Sequence, residues 1–117
     1  MEIASFIAEI ENWTGSTLPL EYSRLLISHG GQIIGEQVLF YSAQDIIERN
    51  ETYEKKKYSP GYLSIGDDSG GRAVVIPLCK DSAPVYLVDH GYMDPDGFLL
   101  VSNNLSEWFN AQCPVPN

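Results

Sequence analysis

Six side chains between residues 67 and 96 could do chemistry, and all of them lie in polar turns. They are Asp67, Asp68, Asp89, His90, Asp94 and Asp96. Carboxylate oxygens from neighbouring loops are ligands for hard divalent cations and could also serve hydrolysis. However, the turn that begins at Asp67 lacks the twelve-residue spacing and the final glutamate of a calcium-binding EF-hand loop. Tight turns also favour aspartate and glycine for backbone reasons alone. We therefore favour turn formation over metal binding, and we predict no metal and no cofactor.

Other catalytic patterns are weaker than the aspartates. Cys79 stands beside Lys80, which could lower the pKa of a thiol, but no histidine is near in sequence. The G-x-S-x-G motif of many serine hydrolases does not occur. The glycine-rich turn from Gly66 to Gly71 has no GK[ST] ending, and it puts carboxylates where a phosphate would bind. We predict that the protein is not an enzyme.

Three apolar runs flank the turns that carry the aspartates, and they are rich in residues that favour β-strands. The runs are Tyr62–Ile65, Ala73–Ile76 and Val85–Val88. A buried sheet with acidic loops is a rigid platform that suits binding. Arg72 follows the double glycine of the first loop and could pair with Asp68 or contact a partner. Tyr92 stands beside the second loop, where a tyrosine could be an interface anchor.

Composition limits the kinds of partner. The chain has 117 residues, a formal charge of −9 and no long apolar segment. From Tyr58 to the end it has seven acidic and two basic residues, and the acids fall mostly in predicted turns. Nucleic acid and anionic membranes are disfavoured because lysine and arginine make most phosphate contacts, and a basic protein is favoured. The alternative is that the acidic residues only keep the protein soluble and do not bind a partner.

Location and organisation follow from the same survey. The two cysteines are widely separated, and no signal peptide or membrane span is visible, so we predict a cytoplasmic protein with free thiols.

Apolar periodicity and turn residues predict helices over residues 2–12, from Pro19 to a stop at Gly30-Gly31, over 43–56, and after a cap at Ser102 or Asn103. Further strands are predicted at 32–34, 38–41 and 98–101. The order is that of an α+β fold, forming one domain over 1–117 with a flexible tail at 112–117.

This order of motifs resembles the SUKH superfamily, in particular the branch of the fungal Smi/Knr cell-wall synthesis regulators and their bacterial relatives. The resemblance covers residues 17–110. It is carried by the following pieces, in order: Leu18-Pro19 with Tyr22 and Gly30-Gly31, then Leu39-Phe40-Tyr41, then Gly66-Asp67-Asp68 with Gly70-Gly71, then Val85 to His90, and then Leu105 with Trp108. It implies a mainly antiparallel sheet wrapped by about four helices. Two residues depart from the family's pattern. Arg72 stands where an acidic or amide residue is usual, and Asn104 stands where a serine is usual.

The resemblance also implies a function. Bacterial members of the group are regarded as immunity proteins that neutralise polymorphic or contact-delivered toxins, often nucleases. We therefore expect a module that binds a basic toxin domain through Asp67, Asp68, Arg72, Asp89, His90, Tyr92, Asp94 and Asp96. A regulatory adaptor like the fungal members is one alternative, and a metal-dependent hydrolase that uses the aspartates is another. The oligomeric state stays open.

Overall fold

One sheet and four α-helices make up the part of the chain that a computed structural model describes, residues 3–52, 61–78, 84–91 and 95–115. The strands are β1 (Ile33–Ile34), β2 (Val38–Phe40), β3 (Tyr62–Asp67), β4 (Arg72–Pro77), β5 (Val85–Asp89) and β6 (Leu99–Ser102). The helices are α1 (Ile3–Thr14), α2 (Leu20–His29), α3 (Ile46–Thr52) and α4 (Leu105–Asn110), with a 3-10 turn at Pro95–Gly97. Over these ranges the predicted α+β class with an antiparallel sheet is confirmed. No helix in them is long and apolar enough to cross a membrane.

The sheet is a meander in which each strand pairs antiparallel with the next strand in the chain. Leu39 lies opposite Asp67, and Arg72 lies opposite Asp89. Because direction alternates from strand to strand, the β1–β2, β3–β4 and β5–β6 connections all lie at the same end of the sheet. Asp67, Asp68, Asp89 and Asp96 lie at this end.

The two faces of the sheet bury different sets of side chains, because side chains alternate along a strand. The face under the helices contributes Val74, Ile76, Val85 and Leu87 to the main core. The opposite face buries a smaller cluster of Ala73, Val75 and Val88. Its rim is an aromatic group in which the ring of Tyr62 lies 5.0 Å from Phe98 and 6.3 Å from Tyr86. The platform is therefore apolar on both faces.

A bulge in β3 explains the glycine of the Gly-Asp-Asp motif. The pairing of β3 with β4 shifts between Ser64 and Gly66. A Cβ atom at Gly66 would overlap the backbone carbonyl oxygen of Leu39 in β2. Only glycine therefore lets the two strands approach at this point. The bulge sets the direction in which β3 enters its acidic loop.

Asn50 on α3 takes the place of a strand beside β3, at a point beyond the last residue of β2. Its side chain accepts a hydrogen bond from the Ser64 amide (2.9 Å) and donates one to the Ser64 carbonyl oxygen (2.9 Å). It also donates to the Ile46 carbonyl oxygen at 2.8 Å. Asn50 is fully buried. This one amide thus satisfies both backbone groups of a buried residue that has no strand partner on that side.

The starts of two helices differ from the predictions. The last helix is capped by Asn104, whose Oδ1 accepts from the Glu107 amide at 2.9 Å, so the predicted cap at Ser102 or Asn103 is wrong. Asn104 also donates from Nδ2 to Glu21 of α2 at 3.1 Å, which accounts for an amide where serine is usual. α3 begins at Ile46 rather than at residue 43, and its predicted end at 56 lies outside the described residues.

The chain after α4 packs against the core as far as the structure describes it. Trp108 donates from Nε1 to the Pro114 carbonyl oxygen at 2.9 Å. Cys113 is only 3% exposed, and burial raises the pKa of its thiol to about 12. A Cβ atom at Gly35, in the β1–β2 loop, would overlap the carbonyl oxygen of Gln112. Residues 112–115 of the predicted tail thus touch both the last helix and the first hairpin.

Tyr22 of α2 provides a stability prediction. Its side chain is buried, and its hydroxyl finds no hydrogen-bond partner in the described part of the chain. Tyr22→Phe is expected to leave the free energy of unfolding unchanged or to raise it by up to about 1 kcal/mol, because a buried unpaired hydroxyl costs free energy. Urea denaturation measures the difference. Tyr41→Phe is the contrasting variant, since the Tyr41 hydroxyl donates to Asp67. A clear loss of stability in Tyr22→Phe would contradict the prediction.

Candidate functional site

Three hairpin loops meet at one end of the sheet and bring five carboxylates there. We call this surface the acidic end, defined by Glu36, Asp67, Asp68, Asp89 and Asp96. Hydrogen bonds join the loops: the Ser69 hydroxyl donates to the Gln37 carbonyl oxygen at 2.6 Å, and the His90 amide donates to the Gly71 carbonyl oxygen at 2.8 Å. The loops therefore form one continuous surface.

Asp68 and Arg72 hold the β3–β4 loop together by hydrogen bonds within the loop. Asp68 is 5% exposed, and its Oδ2 accepts from Arg72 Nε at 2.7 Å. Its Oδ1 accepts from the amides of Gly70 (2.9 Å) and Arg72 (3.2 Å). Burial alone would raise the pKa of Asp68, but these hydrogen bonds and the Arg72 charge outweigh burial and lower the pKa. Asp68 shapes the loop and presents little of its charge to solvent.

Asp67 is half-buried at the same loop and is held by two contacts. Its Oδ1 accepts from the Ser69 amide at 2.9 Å, and its Oδ2 accepts from the Tyr41 hydroxyl at 3.2 Å. The Arg49 guanidinium lies 5.3 Å from the centre of the Tyr41 ring, within cation–π range. Ser69 has a positive φ of 64°, a conformation that few residues other than glycine adopt. The direction of the Asp67 carboxylate is thus fixed by the Ser69 amide and the Tyr41 hydroxyl.

Asp89 and Asp96 are the exposed carboxylates of the β5–β6 side. Asp89 Oδ1 accepts from the Gly91 amide at 2.6 Å, which turns the chain at the end of β5. Asp96 lies in the 3-10 turn just before β6. His90 is half-buried between the two loops, where its amide contacts Gly71. These three residues lie at the same end of the sheet as Asp67.

Two of the predicted contact residues, Tyr92 and Asp94, lie outside the described residues. Within the described ranges, no group of three or more histidine, cysteine, aspartate or glutamate side chains is arranged to hold a metal ion. Asp67, Asp68 and Asp89 accept hydrogen bonds from backbone amides of their own turns. Turn formation is the role that the geometry gives them.

The structure adds residues that the sequence did not single out. Glu36 is exposed in the β1–β2 loop, and a glutamate next to the predicted turn glycine Gly35 was the available signal. Tyr41 was recognised only as part of a strand, and nothing local indicates its bond to a residue 26 positions away. The described basic residues other than Arg72 are Arg24 on α2 and Arg49 on α3. The acidic end therefore carries excess negative charge on a preformed surface, which suits association with a positively charged partner.

Comparison with known proteins relates the chain to a family and to a protein of similar sequence. The model of the SMI1/KNR4 family (SUKH-1) matches residues 4–111. The chain is also similar to the uncharacterized protein YnaB of Bacillus subtilis (strain 168), with 28% identity over 105 residues. That alignment covers 89% of this chain and 71% of YnaB.

Proposed function

Because the chain belongs to the SMI1/KNR4 family, SUKH-1, we propose that it is a non-enzymatic protein-binding module that acts as an immunity protein. In this proposal it binds a toxin domain in the cytoplasm and neutralises it. The toxin domain has a basic surface, as a nuclease has where it holds phosphate. The family includes toxin-immunity proteins, which supports the proposal.

The observation that carries the proposal is the convergence of three hairpin loops at the acidic end. Asp68 and Arg72 hold the central loop from inside, while Asp89 and Asp96 are exposed beside it. A surface that is already ordered loses little conformational entropy on binding. Excess negative charge attracts a basic partner over several ångströms and raises the association rate. Blocking a basic active site needs only these two properties and no catalysis.

The direct test is rescue in co-expression. The C-terminal domain encoded immediately upstream of this reading frame would be expressed with and without the protein, and surviving cells would be counted. Survival that depends on the protein is expected. Toxicity that persists when both proteins are present at equal levels would reject this pairing. Absence of toxicity would favour the regulatory-adaptor alternative.

Charge reversal gives a quantitative prediction for the rescued pair. Asp89→Lys with Asp96→Lys should slow association by about tenfold or more at low salt and flatten its salt dependence, because rim charges act mainly on the association rate. Asp68 is unsuitable for this test, since its reversal would disrupt the loop itself. Stopped-flow or surface-based kinetics over a range of salt concentrations measures the effect.

The matched control reverses two acids that lie away from the acidic end. Glu9 on α1 and Glu51 on α3 are exposed, so Glu9→Lys with Glu51→Lys changes the net charge by the same amount. The control should slow association much less than the double reversal at the acidic end. Equal slowing in both variants would mean that net charge, and not this surface, guides the partner.

A further inference from the structure

The edge strand β6 exposes an apolar surface on an otherwise acidic part of the molecule. In the described sheet β6 pairs with β5 alone, through Leu100 opposite Tyr86 and Leu99 opposite Leu87. Leu99 is 48% exposed and Leu100 is 50% exposed. Neighbouring residues on a strand point to opposite faces, so neither face of the strand is fully covered at this edge.

A cleft runs beside this edge, between β6 and the chain that follows α4. It has a volume of about 500 Å³ and is lined by Leu99, Leu100, Val101, Pro114 and Val115. Trp108, which donates to the Pro114 carbonyl oxygen, holds the far wall in place. The cleft is therefore an open, mostly apolar groove with β6 as one wall.

The charged side chains near β6 along the chain have one sign. Residues 84–117 contain four acids and no lysine or arginine. Asp96 stands just before β6, and Asp89 lies two residues beyond the Leu87–Leu99 pair at the same end. Glu107 is exposed in the first turn of α4, after the other end of β6. Acidic residues thus occur before and after the apolar edge along the chain.

We propose that β6 accepts an extended segment of the partner protein by strand addition. The segment would have apolar side chains that enter the groove and lysine or arginine on either side. A free strand edge supplies backbone groups for pairing, and the groove supplies side-chain specificity. The proposal rests on the proposed function, because it names the part of a basic partner that this protein would grip.

Charge decides between a partner segment and a second copy of this chain. A second copy would bring two surfaces that each carry Asp89, Asp96 and Glu107 close together, and like charges across an interface oppose association. A basic segment meets the same acids with opposite charge. Asp96 of the acidic end lies three residues before Leu99 of the groove, so one partner could contact both.

The experiment titrates a nine-residue synthetic peptide of alternating valine and threonine, with two lysines at each end, into the labelled protein. Amide NMR signals of residues 99–101 and 115 should shift saturably, and the shifts should weaken with salt. A peptide with proline at its centre should lose binding, because proline removes a ladder donor. A peptide with glutamates in place of the lysines should also lose binding, because its charges would repel the acidic residues of the protein.

A matched pair of variants locates the site on the protein. Leu99→Ser with Leu100→Ser should weaken peptide binding about tenfold, a loss expected when half-exposed apolar contacts are removed. Leu20→Ser with Ile27→Ser removes two residues on α2 with similar exposure, 54% and 55%, and should leave binding unchanged. Neither pair changes the charge.

Three outcomes would overturn the inference: no shift at residues 99–101 with millimolar peptide, equal binding of the proline peptide, or equal loss in both variants. Self-association in sedimentation that the Leu99/Leu100 variant abolishes would assign the edge to a second copy instead. The proposed function fails separately, if the wild-type protein does not rescue cells from the toxin. If the wild-type protein rescues cells but does not bind the peptide, strand addition is rejected and the proposed function is not.

Discussion

Asn50→Ala is expected to lower the free energy of unfolding by about 2–4 kcal/mol, because it leaves two buried backbone groups unpaired. Asn50 donates to and accepts from Ser64, and both residues are fully buried. Each buried donor or acceptor that loses its partner costs about 1–3 kcal/mol. Urea denaturation followed by circular dichroism measures the change.

The control for this prediction is Gln44→Ala, which removes an exposed amide just before α3. It should change the free energy of unfolding by less than about 0.5 kcal/mol, as expected for a surface substitution. If Asn50→Ala were equally mild, the Ser64 backbone would have to find other partners. The importance assigned to the α3–β3 contact would then be wrong.

Asp68→Asn is expected to destabilise the protein by about 2 kcal/mol at neutral pH, because hydrogen bonds to a charged group are stronger than neutral ones. Asparagine keeps the shape of the side chain and can still accept from the Gly70 and Arg72 amides. It loses the charge that pairs with the Arg72 guanidinium. Without this ion pair the β3–β4 loop should be less rigid, and the affinity for the partner should therefore fall.

The pH dependence of this effect has a definite sign. The pKa of Asp68 is lowered in the folded protein, so its contribution is fully present above the pKa of an unfolded aspartate, about 3.9. The contribution is lost as pH falls through the lower folded value. Wild type and Asp68→Asn should therefore converge in stability in acid and differ at pH 7.

Denaturation at several pH values checks this, with Glu9→Gln as a control. Glu9 is exposed on α1, so its variant should change the free energy of unfolding by less than about 0.5 kcal/mol. A constant difference between Asp68→Asn and wild type down to strongly acidic pH would show that the charge of Asp68 is not the cause. The loop would then be held by its backbone contacts alone.

Much of the fold was predictable because it is encoded in short-range patterns. The runs from Tyr62, Ala73 and Val85 were identified as strands by their β-branched and aromatic residues, and each is a strand in the structure. The glycine stop after α2 follows the same local logic, although the positive φ of 85° belongs to Gly31. Patterns of this kind depend only on neighbouring residues, so one sequence is enough to read them.

Sequence reasoning singled out individual aspartates, but it predicted neither that their loops meet on one surface nor the structural roles of the residues. Asp67, Asp68, Asp89 and Asp96 were singled out from composition and turns, and the meander places them at the same end as Glu36, which was missed. From the sequence, Asp67 and Asp68 were both predicted to contact the partner protein. In the structure Asp68 is buried against Arg72, while Asp67 stays half-exposed. Burial depends on what other segments cover, which neighbouring residues do not reveal.

The sequence by itself determined the α+β class, the turns and the charge of this protein. Only the tertiary structure decided how Asn50 replaces a strand beside Ser64, how Tyr41 reaches Asp67 and how Asn104 ties α4 to Glu21. These bonds join residues 14, 26 and 83 positions apart. Periodicity and turn chemistry act within a few residues, whereas such pairings exist only after the sheet and helices have packed.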